Sequence, residues 1–197
     1  GKIKSKYTNT LSVVDSVTSK LERINNIITE KQFTSSEKII LVHSEIIDKF
    51  TLIIKDYFKN DIDNLLKGIT SADEKIITIF EFVKAKMNWN KFYGYSCDEG
   101  VKSAYKNKVG NAAEINLMLT AMLKYAGIEA NPVLISTRSN GTPVFPNRSA
   151  FNYVICGVEL KENVVLLDAT SKIALPDILP FRDLNWFGRL IRENQSS

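Results

Sequence analysis

The chain has 197 residues, 44% hydrophobic and 24% charged, with a formal net charge of +4. Such totals suit one soluble globular domain with room for an added arm. The basic residues are scattered, which argues against a nucleic-acid partner, and no apolar run reaches the length of a membrane span.

Residues 1–9 are polar and basic and read as a frayed end. Gly1 stands where a methionine would begin a chain, so the sequence reads as a fragment, and the absence of a signal peptide leaves the compartment open. Over 11–28 the apolar positions Val14, Val17, Leu21, Ile24 and Ile28 alternate by three and four, the spacing of an amphipathic helix with a narrow seam. Thr34-Ser35-Ser36-Glu37 resembles a capping box for a second helix over 36–58, with Ile39, Ile46, Phe50, Ile53 and Tyr57 on one face. The two helices predict a hairpin arm over 1–66, packed on the core or serving a weak dimer. His43 lies on that apolar face, where a lone histidine is a core or boundary residue more often than a base.

Ser71-Ala72-Asp73-Glu74 opens a third helix over 74–87. The aromatic segment 88–100 either lines a pocket or covers the core, and a short helix over 101–106 follows. Gly110-Asn111 then begins the helix on which the chain is organised. Its positions Ile115, Met118, Leu119, Met122, Leu123 and Ala126 face inward, while Asn116, Thr120 and Lys124 take the other face. Gly127 stops it, and 130–135 reads as a strand. After the loop 139–147, strands over 150–158 and 164–167 joined by a short turn make an antiparallel meander. In the tail, Trp186 and Phe187 are expected to pack on the body. The fold class is therefore α+β, a central helix on an antiparallel sheet over 67–197, preceded by the helical arm.

The segments EKIITIFEFVKAKMNWN, VGNAAEINLMLTAMLKYAGIEANPVLIST, AFNYVI and VVLLDAT resemble the transglutaminase-like superfamily, with its papain-like fold, across 71–174. The likeness is to a bacterial branch in which such a domain follows a β-rich one in large exported proteins. In active members of the family a Gly-x-Cys motif starts the helix, an aromatic-x-His motif lies on the next strand, and an acidic residue ends the strand after it. Cysteine is the nucleophile, histidine the base, and the acid orients the imidazole. Here Gly110-Asn111-Ala112 places alanine at the cysteine position, and Phe151-Asn152-Tyr153 places tyrosine at the histidine position. Asp168 alone matches. A deliberate Cys→Ala change would leave alanine at 112 but would not account for Tyr153. The resemblance thus implies a degenerate, non-catalytic member associated with the bacterial envelope or periplasm.

The residues point the same way by themselves. Two cysteines and one histidine are too few for a disulfide framework or a zinc site, and no metal or cofactor is expected. Tyrosine, which ionises near ~10, is a poor base at neutral pH. Cys156 reads as a buried strand residue, and Cys97 is left as the alternative nucleophile for a residual hydrolase or acyl transferase. The expected ligand-binding cleft comprises Trp89, Tyr93, Asn111, Glu114, Arg138 and Asn152 around Ala112, Tyr153 and Asp168. Glu114 is either a general base or a complement to the helix dipole, and Asp168 is expected to accept a hydrogen bond from Tyr153. The candidate partners are a peptide, a cell-wall fragment or a neighbouring protein domain; a structural spacer is the remaining reading.

Overall fold

The computed structural model describes residues 55–142 and 150–192. The chain divides into two compact units, 1–43 and 44–197, and the described residues belong to the second. The helix expected over 11–28, His43, and most of the helix expected over 36–58 lie outside them.

The first described helix, α1 (Lys55–Leu65), runs past the point where the sequence pattern ended. Phe58 and Ile62, one turn apart, are its two fully buried anchors. Helix α2 (Ala72–Lys86) starts as the capping chemistry predicts: the Ser71 hydroxyl accepts from the Glu74 N–H at 3.5 Å, with Asp73 and Glu74 in the first turn and Lys84 and Lys86 in the last. Ile76, Ile79, Phe80 and Val83 form its buried side. A two-residue strand β1 (Asn88–Trp89) pairs in parallel with β2 (Val109–Gly110). Helix α3 (Val101–Asn107) stands between them.

Helix α4 (Ala112–Tyr125) is the centre of the domain. Asn111 caps its start in a full capping box: Asn111 Oδ1 accepts from Glu114 N at 2.8 Å, and Glu114 Oε2 accepts from Asn111 N at 2.9 Å. Its end is a Schellman motif, with Gly127 N–H donating to Lys124 O and Ile128 N–H to Leu123 O. Gly127 has φ 81°, the left-handed angle that glycine adopts without strain. Every residue from Ala112 through Leu123 is buried. The expectation that Asn116 and Thr120 face away from the core is therefore corrected. The sheet covers one side of α4 and helices α1, α2 and α3 cover the other, so a polar stripe on α4 meets protein rather than water.

The sheet runs in the order β5-β4-β3-β6. Strand β3 (Ala130–Ile135) and β4 (Tyr153–Glu159) are antiparallel, in register from Ala130↔Val158 to Ile135↔Tyr153, and β5 (Val164–Leu167) continues the meander. The tail returns as β6 (Arg189–Leu190) along the other edge of β3. Leu190 and Ile191 take its burial, whereas Trp186 is 60% and Phe187 79% exposed. The expected packing of those two rings on the body is thus corrected; they stack edge-on against each other instead. Upstream, Lys172 donates to the carbonyls of Lys84 and Met87 at the end of α2, and buried Lys84 donates to Ala174 O. These contacts fasten the start of the tail to the helical layer. Among the described residues, no helix is long and apolar enough to cross a membrane.

Candidate functional site

The N-terminus of α4, the start of β4 and the end of β5 converge. Ala112 and Tyr153, both fully buried, share a small apolar cluster with Val133, Ile135, Ile155 and Leu190. Asp168 follows β5 with no exposed surface. The three positions singled out by the resemblance therefore meet in space.

Asp168 is the hub. Its Oδ1 accepts from Asn116 Nδ2 at 2.8 Å and from the Thr170 N–H at 3.0 Å. The Tyr153 hydroxyl lies 3.3 Å from Asp168 Oδ2 and 2.8 Å from Thr170 Oγ1, so the expected Tyr153–Asp168 contact is present as a long hydrogen bond. Burial, reinforced by the Asp168 charge, raises the Tyr153 phenol far above its ordinary range. It is a neutral hydroxyl, suited to donating and unsuited to accepting a proton.

The tail supplies a group that the sequence pattern did not signal. Arg182, in the 3-10 turn Phe181–Asp183, donates through Nη2 to Asp168 Oδ2 at 2.5 Å and to Thr170 Oγ1 at 2.6 Å. Its guanidinium lies 4.6 Å from the centroid of Trp89 and 5.6 Å from that of Tyr153, in range of cation–π attraction. Lys91 Nζ is 4.8 Å from the Trp89 centroid. Trp89 is further tied by its indole N–H to Phe92 O at 3.0 Å. Tyr93 completes the aromatic group, 5.5 Å from both Trp89 and Tyr153, and is 44% exposed beside Phe92 at 66%.

Asn116 is the second residue that periodicity hid. From the middle of α4 its Nδ2 donates to Val154 O as well as to Asp168, and its Oδ1 accepts from Ala169 N–H at 2.9 Å. One side chain thus joins the helix to β4 and to the turn that carries Asp168. The only available signal was a lone amide within an apolar helix.

The other expected cleft residues are placed as follows. Asn111 is buried; its Nδ2 donates to Ser96 O while its Oδ1 caps α4. Glu114, 3% exposed, accepts from the N–H groups of Glu99, Gly100 and Asn111. Its carboxylate is committed to three backbone donors beneath the 96–100 loop. Asn152 accepts from Thr137 N–H and donates to Thr137 Oγ1, pinning the end of β3. Exposed Arg138 donates to Leu184 O and lies 4.3 Å from the Phe181 ring. Trp89 and Tyr93 accordingly join Ala112, Tyr153 and Asp168, whereas Asn111 and Glu114 serve the capping network, and Asn152 and Arg138 brace the loop and tail.

Both thiols are free. Burial, with Glu114 and Asp98 adding to it, pushes the Cys97 thiol up to about 12. Burial likewise pushes Cys156 to about 12. Each is a protonated thiol at neutral pH, the opposite of an activated nucleophile. Among the described residues no group of three or more metal-ligating side chains is placed to hold a metal ion.

This arrangement of a buried helix start against an antiparallel sheet, with an acidic residue closing β5, defines a papain-like α+β class. Residues 59–163, more than half of the chain, match the model of the transglutaminase-like superfamily, and the chain belongs to that superfamily. No curated protein matches the sequence. Among solved structures, it is similar to a candidate protease from Parabacteroides distasonis at 13% identity and a TM-score of 0.57, over 80% of this chain and 29% of that one. A candidate cysteine protease from Cytophaga hutchinsonii is similar at 12% identity and a TM-score of 0.47, over 70% of this chain and 41% of that one. A structure described as a TGase follows at 10% identity and 0.39, over 80% and 38%. The likeness is one of fold, and this chain spans less than half the length of each of these proteins.

Proposed function

We propose that this is a transglutaminase-like domain without cysteine chemistry, whose cleft serves recognition. The observation that carries the reading is the substitution pattern at one buried point: Ala112 at the start of α4, facing Tyr153, with Asp168 held by Asn116, Thr170 and Arg182. Alanine offers no nucleophile. A tyrosine kept neutral by burial offers no base, and the guanidinium of Arg182 already occupies the carboxylate that would orient an imidazole. Cys97, half-buried and protonated, offers no substitute thiolate.

Recognition falls to the rim. Tyr93 and Phe92 present apolar and aromatic surface beside Lys91, a composition suited to a peptide, a cell-wall fragment or a neighbouring protein domain. A bacterial envelope setting accords with the resemblance to exported proteins. Binding of a panel of peptides and peptidoglycan fragments, measured by calorimetry, tests this. Saturable binding is expected, weakened more than tenfold by Tyr93→Ala or Phe92→Ala with the melting temperature unchanged. The absence of binding across the panel contradicts it.

One observation favours a second reading, a structural spacer. The polar groups around Asp168 are mostly satisfied within the chain itself, as in a module built for stability. In that case the rim variants leave every binding measurement unchanged.

A further inference from the structure

Two carboxylates and one guanidinium meet beneath the tail. Asp168 is fully buried and takes Arg182 Nη2 at 2.5 Å. The side chain of Asp183 is equally buried, yet neither of its oxygens accepts a hydrogen bond from a donor among the described residues; only a protonated Asp183 can bond, to the Asp168 carboxylate beside it. Its nearest cation is Arg182 Nε, 3.5 Å from Oδ1 and itself without a hydrogen bond. One guanidinium cannot neutralise two carboxylates shut away from water. With both ionised, the pocket holds an uncompensated negative charge; with Asp183 protonated, it holds none.

The turn that carries these residues is held in place mainly by polar contacts. Arg138 donates to Leu184 O, and Asn185 Nδ2 reaches the carbonyls of Ser136, Thr137 and Gly141. Its large apolar residues contribute little anchoring: Phe181 is 72% and Leu184 51% exposed. A segment with few buried apolar contacts opens locally at low cost.

We propose that the turn Phe181–Asp183 is a proton-operated latch on the site. With Asp183 protonated, the turn seats Arg182 across Asp168, Thr170 and Tyr153. When Asp183 ionises, the turn withdraws, Trp89 loses the guanidinium from its face, and the Tyr153 and Asp168 side chains become accessible. The charged groups acting on Asp183 are Asp168, which opposes its ionisation, and Arg182, which favours it; burial, the largest influence, also opposes it. Tyr153, the other titratable group facing this cluster, stays neutral. By linkage, whatever raises the titration of Asp183 in the closed form disfavours closure by the same amount once the proton is gone. As regulation of a recognition cleft the latch rests on the reading above, but its test uses no ligand, so the two can fail separately.

The test is acrylamide quenching of Trp89 between pH 5 and 9 in a Trp186→Phe background, which removes the exposed second indole. The quenching constant should rise severalfold across the range, with far-UV circular dichroism unchanged, and Asp183→Asn should make it flat. A pH-independent quenching constant in the Trp186→Phe protein overturns the latch, and so does the same rise persisting with Asp183→Asn. Infrared difference spectra of the unmutated protein provide a check that needs no variant. A buried carboxylic-acid band must disappear over the same pH interval, and its absence at pH 5 overturns the proposal.

Discussion

Arg182 reaches from the tail to Asp168 and places Nη2 2.5 Å from Oδ2, so the residue that closes β5 is neutralised by one only 14 positions further on. The pair joins the sheet to the irregular segment that follows it. Asp168 has no exposed surface, while the Arg182 side chain is 24% exposed. Removal of the arginine leaves a buried carboxylate without a counter-charge. Arg182→Met should cost about 2–4 kcal/mol, shifted below the range of about 3–5 kcal/mol for breaking a fully buried pair because one partner is reached by solvent. Urea denaturation at pH 7 checks this, and a loss below about 0.5 kcal/mol, the range of an ordinary surface substitution, contradicts it.

Asn116 acts from the opposite side of the same carboxylate. Asn116→Ala leaves Val154 O, Ala169 N–H and one Asp168 hydrogen bond unsatisfied at once. A loss of about 2–4 kcal/mol in urea denaturation is expected, since each orphaned buried group costs about 1–3 kcal/mol before relaxation. Thr120→Val nearby removes a hydroxyl that donates to the Asn116 carbonyl of its own helix and contacts the weakly bonding Cys156 thiol. It should cost less than 1 kcal/mol by the same measurement.

The raised Asp183 carboxyl gives a signed pH dependence. Its ordinary value is near ~3.9, and burial together with the Asp168 charge raises it in the folded state. Between those values the folded chain holds a proton that the unfolded chain has lost, so stability falls as pH rises. The contribution is fully present below the unfolded value and is gone above the folded one. Asp183→Asn keeps the shape without the titration. Thermal melts of both proteins from pH 5 to 9 should show the variant gaining relative to its parent as pH increases. A constant difference contradicts the assignment.

Much of the architecture could be read directly from the chain. Asn111 and Glu114 form the capping pair around the start of α4, Gly127 ends it in a Schellman motif, and the short apolar run Val164–Leu167 after the turn marks β5. These features are local, written in residue type and short spacing. Asn116 and Thr120 depart from the face their spacing suggests, because a polar stripe at i and i+4 describes a solvated face and a buried polar contact with a second layer equally well. Arg182 left no trace, because its role depends on where an irregular tail crosses the sheet end, and no periodicity encodes that. Trp186 and Phe187 were expected to be buried because large aromatics usually are. The return of the tail as β6 gives that burial to Leu190 and Ile191.

The return of that tail depends on two glycines. A Cβ at Gly188 would lie 2.8 Å from Val133 Cγ1, and one at Gly157 would lie 2.8 Å from Val133 Cγ2. Strands β4 and β6 therefore close on β3 around a single valine. Gly188→Ala should cost about 1–3 kcal/mol through overpacking and should raise hydrogen exchange at Leu190 and Ile191. The double variant with Val133→Ala should recover part of the loss, and full additivity of the two changes contradicts this packing.

The central claim, that the domain has no activated thiol, is tested most directly by iodoacetamide modification of Cys97 from pH 5 to 9, followed by mass spectrometry. With its thiol pushed up to about 12 by burial, Glu114 and Asp98, Cys97 should react slowly throughout, at a rate still climbing at pH 9. A fast reaction that has already reached its plateau below pH 7 would mean a thiolate at neutral pH, and the non-catalytic account would be wrong.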